Sequence, residues 1–508
     1  MTHRLAAVLA ASLAFLLCPA ASAQPVTLQS DDGGLRLQGE ILDYDGEYYR
    51  IDTKYGILTV SAAAMRCLGE SCPDTEGFIP EFRISGAATT GDTLMPGIVE
   101  AFVRDRGYRA VRVVQDDTHF RYELFRGASE TVFARIRFRV SSTEEGFADL
   151  VANQAEIAMA IRPVRFNEIE RGIEAGIGDL GAAGRSMDIA LDALVPIASR
   201  KNAVTAMGVD RLAAAFSGRA RDWADLGGAQ GPVRLYLKND PSGLTGRFRT
   251  QVLGPQDMAL SSDVQRFGSN ADLAGAVAAN PAALAISALS EIGNARTLAL
   301  SGSCAREVAA TTNTLLTGDY PFVIHHRLFM PDYVLPAIAR EFLEFVRAPA
   351  GRRAVEALGY VPPDRVRLRL RPASRPGTES DAPKTPEFLD GAERLAFTFR
   401  FDVGTADLDA NAQDALRRLA AWLEANTERR RRLFIVGFTD GVGAAGVNER
   451  LSQRRSALVR ASLEDLVSPE AWQIARPRAI GLGERAPIAC DDMGWGRQVN
   501  RRVEVWTR

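Results

Sequence analysis

The sequence predicts a multidomain chain of α/β and α+β class behind a small N-terminal β module, and three observations predict it. At 508 residues the chain is longer than one hydrophobic core ordinarily covers. Short strand patterns punctuated by Asp-Gly and Gly turns fill residues 24–77. From residue 78 onward strand and helix patterns alternate, and a Pro-rich stretch at 366–389 cuts that region in two, at 78–365 and 390–508.

The composition is that of folded globular protein, with 46% apolar and 24% charged residues. A net charge of −2 gives no reason to expect nucleic acid or an anionic membrane surface as partner. The N-terminus reads as an export signal over residues 1–23. Arg4 supplies positive charge, Leu5 to Leu17 form an apolar run too short to span a bilayer, and Ala21-Ser22-Ala23 is a small-x-small cleavage site. Cleavage after Ala23 is favoured over lipidation at Cys18, because Leu17, not a small residue, precedes that cysteine. Export to the periplasm permits disulfides. Cys67 and Cys72 suit a small bridged loop, whereas Cys304 and Cys490 fall in different predicted domains and are expected as buried free thiols in preference to a bridge between them. The Cys67 segment offers no further ligands for zinc, and no metal or cofactor is expected.

In the β module the strands are Val26-Thr27-Leu28, Leu35 to Leu37, Glu40 to Leu42, Tyr48 to Ile51 and Ile57 to Val60, with hairpin tips at Asp45-Gly46 and Tyr55-Gly56. An antiparallel sheet or barrel follows. The α/β region opens with the strand Phe82 to Gly86, a helix from Leu94 to Arg106 and a strand at Ala110 to Val114, and the alternation is expected to continue to Gly359. Pro372, Pro376, Pro383 and Pro386 then hold the 366–389 linker extended, at about 3 Å per residue, enough to separate its neighbours by several tens of Å. The last unit has strands at Leu395 to Phe399, Leu433 to Val436 and Arg501 to Trp506, and helices at Ala410 to Ala425 and Val447 to Leu466. The run Arg429 to Arg432 reads as a solvated turn.

Four strings in this last unit carry a resemblance. They are Phe434-Ile435-Val436-Gly437-Phe438-Thr439-Asp440-Gly441, Asn448 to Arg455, Gly481-Leu482-Gly483-Glu484 and Asn500 to Val505. Together they resemble the OmpA-like domain of outer-membrane anchors and peptidoglycan-associated lipoproteins, with Phe438 in place of the usual His. The resemblance implies a βαβαβ sandwich that binds the diaminopimelate stem of peptidoglycan. That ligand is zwitterionic, so its site needs an anion and a cation a few Å apart. Asp440 would receive the ammonium and Arg455 a carboxylate, the two facing each other across a gap open to solvent. By the same resemblance Thr439, Asn448, Leu451, Asn500 and Arg501 complete the pocket.

The central region carries a second one. Ile84 to Thr90, Glu156 to Pro163, the Phe216-Ser217-Gly218…Asp222-Trp223…Leu226-Gly227-Gly228 string, Asp240 to Thr245, Gly318 to Pro321 and Gly359 to Pro362 resemble the phosphate-type periplasmic solute-binding proteins. The fold implied is two-lobed (type II), with a ligand in the cleft and an ABC permease as a possible partner. Ser/Thr turns opening helices offer hydroxyls and free N–H groups to an oxyanion such as phosphate. The candidates are Thr89 and Thr90, Ser142 and Thr143 after Ser141, and Ser242, Gly243 and Thr245, with Arg162 either adding charge for the anion or forming an interlobe salt bridge. The carboxylate that phosphate binders keep near this arginine is missing.

No Gly-x-Ser-x-Gly elbow and no His-Glu-x-x-His motif is present, and the histidines are His3, His119, His325 and His326 only. The expected function is therefore binding without catalysis: an anion receptor held on the cell wall. A structural envelope protein whose binding fold serves as an interaction platform stands as the alternative.

Overall fold

The computed structural model describes residues 25–239, 243–304, 306–364, 366, 368, 389, 391–427 and 432–508. The signal segment with Cys18, Ser242, nearly all of the Pro-rich linker and three of the four arginines at 429–432 lie outside the described residues.

Residues 25–81 with 333–338 form one compact unit. Its five strands, Val26–Ser30, Arg36–Tyr44, Tyr48–Thr53, Gly56–Ser61 and Met65–Leu68, make an antiparallel sheet in the order fourth, third, second, first, fifth. The predicted strands at 35–37 and 40–42 are one strand, bent by a register shift between Ile41 and Asp43. Asp45 closes the hairpin between the second and third strands by accepting from the backbone N–H of Glu47 at 2.8 Å and of Tyr48 at 2.6 Å. Val26, Leu28, Leu37, Tyr49 and Ile51 fill the small core, and the Cys67–Cys72 bridge packs beside it. The Arg50 guanidinium lies 4.0 Å over the Tyr333 ring.

The second unit holds residues 82–332 and 339–508. Its spine is the strand Ser186–Ala198, which pairs antiparallel with Val323–Phe329 along its first half and with Ala283–Ala288 along its second. One strand thus belongs to two lobes. In the first lobe Ile157–Ala160 runs parallel to Glu81–Ala87; in the second Arg234–Lys238 runs parallel to both Ala283–Ala288 and Gln265–Phe267. Helices cover these parallel strands, as parallel connections require. The expected alternation fails early in this unit. Tyr108–Val114, His119–Arg126 and Val132–Ser141 follow one another as an antiparallel meander, because Asp116 caps a tight turn through the N–H groups of Thr118 and His119.

The C-terminal part of the unit is a four-stranded sheet in the order Glu393–Arg400, Arg502–Thr507, Leu433–Phe438, Arg478–Gly481. The helices Ala410–Glu424 and Ala445–Glu464 pack on it around Leu395, Phe399, Leu419, Ile435, Val459, Leu463 and Val505. Gly437 has to be glycine, since a Cβ there would fall on the backbone of Ser452 in the long helix.

This part is not held at a distance by a linker, as the sequence suggested. Cys304 and Cys490 are not free thiols: they form a disulfide that joins the second lobe to the C-terminal sheet domain. Ala489 and Val499 are buried in the core of the second lobe, with Met493 and Trp495 packed against it. Asp319 of that lobe takes two hydrogen bonds from Arg394, at 2.7 and 3.1 Å, and one of 2.7 Å from Arg400. Burial alone would raise the Asp319 carboxyl, but these guanidiniums hold it down at about 2. Sequence spacing gives no signal for such a docked face. Among the described residues no helix is long and apolar enough to cross a membrane.

Candidate functional site

In the first lobe of the second unit the C-terminal ends of the parallel strands Glu81–Ala87 and Ile157–Ala160 open on a cleft of about 450 Å³, the place where open α/β sheets bind ligands. Gly146 lets the helix Thr143–Val151 come close to the first of these strands, because a Cβ there would strike the backbone of Ser85 and Gly86. The lining includes Thr89, Ser141, Ser142, Thr143, Arg162, Gly243, Arg247 and Gln251, five of them among the eight expected residues.

Their chemistry is redistributed. Thr90 is buried, with its hydroxyl on His326 Nδ1 at 2.9 Å, and Thr245 donates to the Lys238 carbonyl at 2.8 Å; neither lines the cleft. Ser142 is the cap of its helix, accepting from Glu145 N–H at 3.2 Å, and Thr143 accepts from Ile161 N–H at 3.3 Å. Arg162 is not a spare charge for an anion. It makes a fork with Glu168, at 2.7 and 2.9 Å, and reaches Glu144 at 3.0 Å. The segment's missing carboxylate is thus supplied by two glutamates, and both serve Arg162.

The residue that fits the anion role is Arg247, which the motifs did not single out. It donates to the carbonyls of Ile161 at 3.0 Å and Val323 at 3.1 Å, its Nε–H is buried without a partner, and no carboxylate pairs with it among the described residues. Burial pushes its guanidinium down from the ordinary value. Thr89 Oγ1, Ser141 Oγ and Gln251 Oε1 are likewise buried and unpartnered, and all line the same cleft. A buried polar atom without a partner costs roughly 1–3 kcal/mol, so four at one cavity mark a place built for something polar. The sequence signal was available: Arg247 and Gln251 stand four apart after the Gly243-Leu244-Thr245 turn, where the helix loosens into a π turn at Arg249–Leu253.

At the C-terminal site the expected residues also gather, but the gap between 440 and 455 is closed. Asp440 is only 9% exposed and receives Arg501 Nη1 at 2.9 Å. Arg455 is fully buried beneath the turn 402–405, donating to Asp402 O at 2.7 Å and Thr405 O at 2.8 Å, over the Phe401 ring. Burial, then the neighbouring Arg501 charge, lowers its guanidinium to about 10. The carboxylate and the guanidinium therefore do not face each other across solvent. Arg501 supplies the cation that meets Asp440.

Two atoms of this site keep unused capacity, Arg455 Nη1 and Thr439 Oγ1, both buried without a partner. Asn448 donates to Glu484 at 2.7 Å, and Leu451 is half-buried on the same helix. Asn500 is consumed structurally, accepting from Ile488 and Ala489 N–H and donating to the Ala489 carbonyl and to Asp491. Asp491, absent from the expected set, also accepts from Gly441 N–H at 2.8 Å and so fixes the loop after Asp440. Phe438, which replaces the usual His, carries the Arg502 guanidinium 4.0 Å over its ring.

Residues 127–349 match the family model of the PBP superfamily domain, and residues 400–501 that of the OmpA family. The outer membrane porin F of Pseudomonas aeruginosa is 31% identical over 112 residues, 22% of this chain and 31% of the porin. The peptidoglycan-associated lipoprotein of Agrobacterium fabrum is 30% identical over 106 residues, 21% of this chain and 56% of the lipoprotein. The chain thus spans about a third of the first relative and just over half of the second. An ABC-type phosphate transport receptor from Vibrio cholerae aligns over 55% of this chain and 99% of its own, at 15% identity and a TM-score of 0.40. One stretch of this chain is thus similar to the PBP superfamily domain and a later stretch to the OmpA family.

Proposed function

We propose that this protein is a non-catalytic receptor of the bacterial envelope, which captures a small anion in the cleft of its PBP domain and is held on peptidoglycan by its OmpA domain. The observation that carries the reading is the meeting of three unpartnered buried donors, Thr89 Oγ1, Ser141 Oγ and Arg247 Nε, at one cleft. Such a set satisfies an anion without rearrangement. Anchoring is supported by the OmpA match and by the unused donors Arg455 Nη1 and Thr439 Oγ1 near Asp440. The relatives named for the outer membrane and for peptidoglycan support a periplasmic location at the wall.

Calorimetric titration with phosphate and sulfate, together with sedimentation with murein sacculi, tests the two halves separately. Heat of binding and co-sedimentation support the receptor. Delivery to an ABC permease is the further step a transport role would require, and pull-down from envelope membranes tests it. The second reading, an interaction platform without a small ligand, is favoured by the covalent docking of the OmpA domain on the second lobe. Silence toward every anion with intact sacculus binding would select it.

A further inference from the structure

The cleft is too large and too weakly charged for a bare dianion. Its charged lining among the described residues is Arg162, Arg165, Arg247 and Glu144, and Glu168 stands behind Arg162. Arg162 is bound to both glutamates and Arg165 to Glu144 at 3.3 Å, so three guanidiniums meet two carboxylates and one positive charge is left over. That charge sits on Arg247. A dianion would enter with one negative charge uncompensated in a partly desolvated site, which costs heavily. The volume of about 450 Å³ also lies in the range of sites for small organic molecules, about 300–1,000 Å³.

The remaining orphan has the opposite polarity. Gln251 Oε1 is an acceptor, buried and unpartnered, one helical turn from Arg247 on the same side. An anion made only of acceptor oxygens leaves it unsatisfied. A ligand that pairs every orphan places a carboxylate on Arg247 Nε–H and the hydroxyls of Thr89 and Ser141, and turns a donor toward Gln251.

Resting on the reading of this cleft as the ligand site, we infer that its ligand is a small hydroxy-monocarboxylate, whose single charge balances the one left over, the carboxylate bound by Arg247, Thr89 and Ser141 and the hydroxyl donor by Gln251. The test is calorimetric titration of the full mature chain at neutral pH with glycolate, glycine, acetate and sulfate. Glycolate is expected to bind at least about tenfold more tightly than acetate, which lacks the donor, than glycine, whose ammonium leaves the spare positive charge uncompensated, and than sulfate, which carries two charges. Arg247→Gln lowers that affinity by about tenfold or more, and Gln251→Leu removes the preference over acetate. Sulfate outbinding both organic acids, with binding still lost in Arg247→Gln, overturns the inference while leaving the cleft as an anion site. Glycolate binding no better than acetate, or glycine matching glycolate, overturns it as well. Silence of all four probes in the folded wild-type chain overturns the cleft reading together with the inference.

Discussion

Cys490 of the OmpA domain is bonded to Cys304 of the second lobe, 186 positions earlier, and the neighbouring Asp492 accepts from Ser303 N–H at 2.7 Å. The same loop continues through Asp491 to Gly441, beside Asp440. The candidate wall site and the binding lobe are therefore mechanically continuous.

Removing the bond frees a long loop in the unfolded chain. Cys304→Ser combined with Cys490→Ser should lower stability by up to about 5 kcal/mol in the loop-entropy account. Thermal unfolding of oxidised and reduced protein checks it. The double variant should melt somewhat above fully reduced wild type, which loses the Cys67–Cys72 bridge as well, and Cys67→Ser with Cys72→Ser, which opens a loop of sequence separation 5, should cost less than the long-range pair.

The buried cluster at Asp319 gives a second lever. Its carboxyl is held at about 2 against an ordinary 3.8, so its contribution is complete above pH 3.8 and is lost as pH falls toward 2. Arg394→Met, which leaves the buried Asp319 and Glu504 short of a cation, should cost about 3–5 kcal/mol. Urea unfolding at neutral pH measures the loss, and acid titration of Asp319→Asn should lack the step in that window.

Asp192 works in the other direction. Burial raises its carboxyl to about 6, even though Ser290 and the Ala193 N–H bond to it. Its folded value lies above its unfolded value, so its penalty is full above pH 6 and vanishes below about 3.8. Asp192→Asn keeps an acceptor for both backbone N–H groups and should gain at most about 3 kcal/mol over wild type at neutral pH, the gain shrinking toward pH 4. Melting temperatures across that range show it or refute it.

For the wall site the ion pair itself is the target. Asp440→Asn and Arg501→Leu each leave a partner uncompensated and should lower the sacculus-bound fraction by about tenfold or more. Arg455→Leu deletes the support of the turn 402–405 as well, and is expected to lose binding and stability together. An Asp440→Asn protein that sediments with sacculi like wild type would refute the anchoring role of this pair.

Much of the architecture was legible in the chain. Period-two patterns and Gly turns marked the β module, the strings around Gly437 and Asp440 marked the C-terminal domain, and the Ser/Thr turns pointed at the cleft. These are local features: a strand, a cap or a tight turn is dictated by residues a few positions apart, and so it survives in the linear order. Tertiary structure alone decided which polar groups remained free. Arg162 looked like the anion's partner and is spent on Glu144 and Glu168, Arg247 looked unremarkable and carries the uncompensated charge, and Asp440 found Arg501 before it could find a ligand. Whether a charge is available depends on which other charges come within a few Å when distant segments pack. For Asp440 and Arg501 those segments are 61 positions apart, and for Cys304 and Cys490, 186.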